Sequence, residues 1–413
     1  MRKVLIVASV SEMIEAFLLP NIELLQKMGN EVHVMANFKD TDALRQERID
    51  LFKEQLLNRG VISYSLPIHR EPFHAENKKA YNQMKKIIET ENFSMIHCHT
   101  PIGGVLTRLA ARNVRKSGTK VVYTAHGFHF FKGAPLKNWA LFYTVEKMLS
   151  KYTDCLITIN QEDHSAAHSH HFKTDMIELI PGVGINPLKF RPVTESKRKY
   201  LRQQYGYKKE EFILIYVAEL SYRKNQDMLI TMMPTLLSAL PNAKLLLVGD
   251  GEQGKWDEFH TLIQDLGIEN QVSMLGFRRD INDLMSLSNV VVSASRQEGL
   301  PVNVLEAMSI GLPLVVTDCR GNRDLVRDGE NGFVVDIDDK EQFIERVVDL
   351  YQHKEKRTAF SKESLKAVKK YSVNNVNNTL EKIYHKVFQL IEQDELEKHQ
   401  ATSSSKTTNA LKG

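Results

Sequence analysis

Residues 290–308 read VVVSASRQEGLPVNVLEAM, and the reading of this stretch decides the fold. The β-branched run Val290–Val292 predicts a buried parallel strand. Gly299 permits a tight turn, and Pro301 suits the first position of a helix, where its missing N–H would be unpaired in any case. The expected order is therefore strand, turn, helix. Free backbone N–H groups at such a helix start form an anion site. Glu298 falls in the turn and Glu306 about a turn and a half into the helix. Both can accept hydrogen bonds from hydroxyls of one ligand whose phosphates lie near the helix terminus. The plainer alternative is one glutamate satisfied at a helix N-terminus and a second that is solvated.

Working outward, the rest of the chain alternates in the same manner. In the first half, 3–9, 31–37, 61–66, 94–98, 120–124 and 155–159 are short apolar runs separated by amphipathic stretches such as 12–28 and 76–91. In the second half, 212–220, 243–248, 272–275, 313–318 and 332–336 continue the series. Such alternation predicts βα units on parallel sheets, with ligands outside the carboxyl ends of the strands. The chain has 413 residues, too long for one ordinary core and suited to two domains of about 150–200 residues. Pro181-Gly182-Val183-Gly184 is the best hinge. The predicted division is 1–184, 185–375, a last helix over 376–393 crossing back onto the first domain, and a disordered polar tail over 394–413.

Composition excludes several classes. A net charge of +4 with 42% hydrophobic and 26% charged residues describes a globular protein and gives no reason to expect nucleic acid as a partner. No apolar run approaches the ~20 residues of a membrane span. The opening MRKVLIVASV reads as a first strand rather than a signal peptide, so the cytosol is the expected compartment. Cys98, Cys155 and Cys319 lie in or beside apolar runs and are expected to be reduced and buried. His164, His168, His170 and His171 invite a metal reading, but no further ligand is evident and no metal is expected.

With EGLPVNVLEAMSIGLPLVVTD at 298–318 and NGFVVD at 331–336, the chain resembles the retaining glycosyltransferases of family 4. TAHGFHFFKGAP at 124–135 is similar to the capsular and exopolysaccharide branch of that family. The resemblance implies an α/β fold of two Rossmann-like domains facing a cleft, the GT-B architecture. It implies transfer of a sugar from a nucleotide diphosphate sugar, by preference a UDP-sugar, with the anomeric configuration retained and no cofactor. A lipid-linked acceptor on a polyprenyl diphosphate, presented at the inner face of the membrane, is the implied partner.

On this resemblance Glu298 touches the donor sugar and Glu306 the ribose, while Gly299, Leu300, Pro301 and Val302 face the diphosphate. His126 lies near the reacting bond. Lys224 is a diphosphate ligand, whereas the arginine usual in the family is here Glu219, so Arg223 is the candidate for the missing charge. Gly249, Arg278 and Ile281 border the nucleotide base. Ser9, in the loop after the first strand, and His99 are assigned to the acceptor. Capping, core or solvated roles are the alternatives for these histidines and cations.

Two features bear on membrane contact. Arg108, Arg112, Arg115 and Lys116 share one predicted helical face, and Trp139, Phe142 and Tyr143 share another within 135–151. Each is either a docking surface for anionic lipid or an ordinary solvated or packed face. A sugar-nucleotide epimerase and a non-catalytic sugar-nucleotide sensor remain the competing functions. A glycoside hydrolase is disfavoured, because Glu298 and Glu306 belong to one turn and helix and not to opposite sides of a scissile bond.

Overall fold

The computed structural model describes residues 1–251 and 253–410. The chain forms two compact units: Met1–Val183 with Asn374–Gly413, and Gly184–Val373.

The first unit holds seven strands: β1 (Lys3–Val10), β2 (Glu31–Asn37), β3 (Ile62–Ser65), β4 (Met95–His99), β5 (Lys120–Ala125), β6 (Cys155–Thr158) and β7 (Met176–Leu179). Their order is β3-β2-β1-β4-β5-β6-β7, all parallel. The second unit holds six: β8 (Phe212–Val217), β9 (Ala243–Val248), β10 (Val272–Met274), β11 (Val290–Ser293), β12 (Leu314–Thr317) and β13 (Phe333–Val335). These run in the order β10-β9-β8-β11-β12-β13, again parallel. Strands such as β4, β5 and β11 are buried along their whole length, which is why their sequences are continuous rather than alternating. In each sheet the order reverses once, at β1/β4 and at β8/β11. Side chains beyond the strand ends at these reversals stand where parallel sheets bind ligands.

The structure departs from the sequence expectations in five places. β7 is an additional edge strand; its four residues are only half buried, and Glu178 interrupts a run too short to stand out. The last helix, Val373–Ala410, runs through residues read as a disordered tail, and 411–413 lie outside the described residues. Its inner face is Leu380, Ile383, Tyr384 and Val387, all buried. Beyond that face Asp394 pairs with Lys120 at 2.8 Å and Lys398 donates to the Ser117 carbonyl at 2.8 Å, so polar anchors extend the helix where apolar ones end.

The proposed basic face is not one surface. Arg108 lies in the helix Pro101–Ala110 and is buried, with Nη1 2.7 Å from Glu146 and the guanidinium over the Tyr123 ring. Arg115 grips Asp154 through two bonds of 2.8 and 2.9 Å. Among the described residues only Arg112 of the three arginines is left to solvent without a carboxylate; the helix stops at Ala110 and a short one, Arg112–Arg115, follows. Within 135–151 the chain is helical from Leu136 to Leu149 but widens to a π-helical stretch at Trp139–Tyr143, and Trp139, Phe142 and Tyr143 pack against the core of the first unit. Finally, Pro301 caps its helix from outside, and Val302 is the first helical residue. Among the described residues no helix is long and apolar enough to cross a membrane. All three cysteines are free and buried, and burial pushes the Cys98 and Cys319 thiols up to about 12.

Candidate active site

In the second unit the chain leaves β11 through Ser293-Ala294-Ser295 and turns at Glu298. The Ser295 hydroxyl donates to Glu298 Oε1 at 2.6 Å, and Lys224 Nζ meets the same oxygen at 2.5 Å. Both members of this ion pair are largely buried. Tyr216, on β8, has its hydroxyl 2.6 Å from Ser295 Oγ and 3.1 Å from the Lys224 carbonyl, to which it donates. Arg320 Nε donates to the Glu298 carbonyl at 2.8 Å. Below the turn Gly321 adopts φ +79°, and a Cβ there would lie 2.5 Å from the Gly299 carbonyl oxygen, so only glycine lets these two loops touch. The helix Val302–Ile310 then starts with no side-chain cap, leaving its first N–H groups for a ligand or solvent.

The loop carrying Lys224 is fixed from the same side. The Arg296 amide donates to the Arg223 carbonyl, and its guanidinium bonds the Tyr222 carbonyl and Asp338, each at 2.9 Å. Asn225 is buried in the left-handed region at φ +59° and donates to Asp338 at 2.9 Å. Arg223 itself is half exposed and sits 3.7 Å from the Glu219 carboxylate. The structure thus joins Lys224 to Glu298 and pairs Arg223 with the acidic residue that replaces the family arginine.

Glu306, half buried on the helix, has its carboxyl pushed up to about 7 by burial, with Lys189 opposing. Gly249 stands at φ +146° with Ala218 directly against it; a Cβ would lie 2.0 Å from the Ala218 carbonyl oxygen. Its amide donates to the Gly276 carbonyl at 2.9 Å, so the loops after β8, β9 and β10 meet here. Arg278 is held by Asp280, with Nε 2.8 Å from its carboxylate, and Tyr205 donates to the same group at 2.6 Å. Ile281 opens the next helix and is half buried.

In the first unit the corresponding reversal carries Ser9 and Thr100. Ser9 Oγ lies 2.7 Å from Thr100 Oγ1 and accepts from the Gly103 amide at 3.1 Å. These bonds hold Thr100 at φ +65°, a conformation that costs a non-glycine residue about 1–3 kcal/mol. Beside it His99 Nδ1 is 3.0 Å from His126 Nε2, while His97 bridges Tyr384 and Thr124 at 2.8 Å each. Burial lowers His97 to about 3, His126 to about 4 and His99 well below its ordinary value, so all three imidazoles are neutral at pH 7. His99 Nε2 is buried without a hydrogen-bond partner among the described residues. His129 packs against Phe142 at a tilt of 33°, with ring centroids 4.7 Å apart. An apolar cavity of about 190 Å³, lined by Ile102, Val105, Leu106, Phe128, Leu141 and Phe142, adjoins Gly127 and hence this histidine pair. Phe73 at its rim is 86% exposed.

Among the described residues no group of three or more His, Cys, Asp or Glu side chains is placed to hold a metal ion. His164 and His168 do come together, with ring centroids 4.7 Å apart. Tyr216, Ser295, Arg296, Arg320 and Asp338 are site-building residues that the sequence reading did not single out. Tyr216 is hidden in an apolar run, and the others carry no spacing signal of their own.

Two parallel-sheet α/β units, each with side chains gathered beyond its strand reversal, are the architecture of GT-B glycosyltransferases. Residues 18–183 match the family described as Glycosyltransferase Family 4, and 197–367 the family described as Glycosyl transferases group 1. EpsD of Bacillus subtilis (strain 168), provisionally named a glycosyltransferase, is 42% identical over 383 residues, covering 93% of this chain and 96% of that protein. The chain belongs to glycosyltransferase family 4. A second relative is the Escherichia coli UDP-Gal:alpha-D-GlcNAc-diphosphoundecaprenol alpha-1,3-galactosyltransferase, 30% identical over 66% of this chain and 70% of that protein. Among solved structures, Anabaena HepE in complex with UDP and glucose superposes with a TM-score of 0.75 at 22% identity, over 94% of this chain and all of that one. The lipopolysaccharide glycosyltransferase WaaG gives 0.70 at 18% identity over 92% of this chain and 99% of that one. These two share the fold.

Proposed function

We propose that the protein transfers a sugar from a UDP-sugar to a lipid-linked oligosaccharide in exopolysaccharide or capsule synthesis, with retention at the anomeric carbon. The observation that carries this reading is the buried Lys224–Glu298 pair at the start of the Val302–Ile310 helix. A cation and a carboxylate held together there match a ligand with a diphosphate at one end and hydroxyls at the other. Binding would divide the pair, Lys224 turning to the diphosphate and Glu298 accepting from sugar hydroxyls.

As the glycosidic bond breaks, negative charge grows on the leaving diphosphate. Lys224 and the N–H groups at 299–302 stabilise that charge more in the transition state than in the ground state. Arg223 contributes to the extent that the diphosphate displaces Glu219 from it. Glu306 holds the ribose, and Gly249 and Ile281 border the base; Arg278 does so only if it leaves Asp280. In the first unit, neutral His126 donates a hydrogen bond to a sugar hydroxyl, and Ser9 and His99 belong to the acceptor site. The acceptor hydroxyl attacks from the side of the leaving group, and its proton passes to the leaving phosphate. No added metal is called for, since protein cations meet the diphosphate.

The HepE complexes with UDP, UDP-glucose and glucose support the donor class. The diphosphoundecaprenol in the E. coli relative's name supports the acceptor class, as does the apolar cavity beside Gly127. An acceptor of this kind would bring the protein to the cytosolic face of the membrane. Incubation with labelled UDP-sugars and a polyprenyl-diphosphate-linked sugar tests the reading, in the presence and absence of EDTA. Label moving into the lipid fraction supports it. Interconversion of the free donor indicates an epimerase, and donor binding without turnover indicates a sensor.

A further inference from the structure

The second unit carries a recess at the opposite end of its sheet from Glu298. Arg198, Lys199, Arg202, Lys209, Lys354 and Arg357 line a volume of about 550 Å³, with Glu195 as the single carboxylate in its wall. Asn289, also in the wall, immediately precedes β11, and the Arg357 guanidinium lies 5.7 Å over the ring of Phe212, the first residue of β8. Glu298 follows the other end of β11. The four residues of β11, at about 3.3 Å each, separate the two ends, so the recess and Glu298 lie at opposite edges of the sheet.

Its cations are held mainly by carbonyls, with Glu195 acting on Arg198 and Arg202 from a distance and Glu355 on Arg357. Arg202 is buried and donates to the carbonyls of Leu287, Lys208, Lys209 and Glu211 and to Asn289. Arg198 gives one bond, 2.6 Å, to the Ser288 carbonyl, and Arg357 uses Nη1 alone, on the carbonyls of Leu350 and Tyr351. Carbonyls satisfy N–H groups but leave the charge in place. Among the described residues none of the six cations has a carboxylate within ion-pair distance. Elsewhere in the chain buried Arg108 pairs with Glu146 and half-buried Arg115 with Asp154. The nearby Asp349 is already taken by Lys356 and His353. The fourteen-residue helix Lys354–Ala367 also begins here with no side-chain cap, adding the positive end of its dipole. Burial holds Arg198 below the ordinary arginine range, with Glu195 opposing and Arg357 adding repulsion.

We propose that this recess binds a phosphate-bearing anion, through the N–H groups of Arg198 and Arg357 that face it and the surrounding lysines, at a site separate from the donor. A free diphosphate and the headgroup of an anionic phospholipid share that chemistry, and they differ in whether binding tethers the protein to a bilayer. Calorimetric titration with pyrophosphate, with UDP saturating so that the donor site is filled, reads the first. Flotation with phosphatidylglycerol against phosphatidylcholine vesicles reads the second.

The double variant Arg198→Gln/Arg357→Gln removes the central donors and should weaken binding at least tenfold, a charged hydrogen bond contributing about that much or more. Because both arginines also brace carbonyls, Lys199→Gln/Lys354→Gln serves as a second variant on exposed positions, with a several-fold loss expected. Pyrophosphate binding that both variants weaken, without flotation, identifies a soluble anion. Flotation on phosphatidylglycerol alone that both variants lose identifies a headgroup. Wild-type protein that binds neither probe, or variants that bind as wild type does, overturns the proposal. Loss of UDP binding with pyrophosphate binding intact would instead count against the donor reading alone.

Discussion

Replacing Glu306 by Gln sets stability against ligand binding in a way that can be measured. Burial raises its carboxyl from the ordinary 4.5 to about 7, so the ionised form is the one the fold disfavours. Below pH 4.5 the group is protonated in folded and unfolded chains alike and no penalty exists. As pH rises the unfolded chain ionises first, and stability falls until the folded carboxyl also ionises near 7. Each tenfold difference in proton affinity corresponds to about 1.36 kcal/mol, giving roughly 3 kcal/mol as an upper figure and about half that once partial exposure and screening are allowed for. Glutamine has the same shape without the charge. Urea unfolding should therefore find Glu306→Gln more stable than wild type at pH 8, by about 1–3 kcal/mol, with the gap closing towards pH 4.5. The same variant should bind UDP more weakly, by roughly tenfold or more, because two ribose hydroxyls lose a charged acceptor. UDP binding to wild type near pH 6 should release a proton, read from calorimetry in buffers of different ionisation enthalpy. A Gln variant that is no more stable at pH 8 than at pH 5, or that binds UDP as wild type does, refutes the reasoning.

Lys224→Ala should lower turnover by roughly 10²-fold, the scale of a lost electrostatic contact to a leaving group, and should also lower the melting temperature by stranding Glu298. Adding Glu298→Gln should recover the melting temperature and not the turnover; recovery of both would remove the pair from the chemistry. Arg108→Ala leaves Glu146 charged and buried and should cost about 3–5 kcal/mol in chemical unfolding, whereas Arg112→Gln should change stability by no more than about 0.5 kcal/mol. Gly249→Ala drives a Cβ into the Ala218 carbonyl, and soluble expression at wild-type level would contradict the packing described there. His97 and His126, lowered by burial to about 3 and 4, should show no imidazole titration by NMR above pH 5, and their contribution to stability should be lost as pH falls from 6.5 towards 4.

Some of this was legible in the sequence because it depends on local pattern. Most strands of the second unit are short, mainly apolar runs, the last two bounded by Pro313, Asp318, Gly332 and Asp336, and Glu298 and Glu306 are fixed by the turn and helix after β11. What escaped depends on contacts between distant segments. Helical spacing placed Arg108 beside Arg112 and Arg115, but spacing cannot tell which side of a helix faces the core. The Glu146 that decides it lies 38 residues on. Lys224 and Glu298 were each singled out, yet nothing local says that they hold one another across 74 residues. The His99–His126 contact was closer to reach: both follow adjacent strands in register, His99 opposite Thr124, and both were noted as strand-end histidines.

The return of the last helix to the first sheet has a consequence for how the protein is made. Ribosomes deliver residues 1–183 first, yet the surface that buries Tyr384 and Val387 stays bare until the final segment has emerged, and His97 waits 287 residues for its hydroxyl partner. The second unit is continuous in sequence and can complete its core while still tethered to translation. Order of synthesis and order of completion are therefore reversed, and the first part made is the last to be finished. A chain terminated early, by a nonsense codon or by proteolysis ahead of Asn374, should keep a sound second unit and expose an apolar face on the first, marking the fragment for aggregation or degradation.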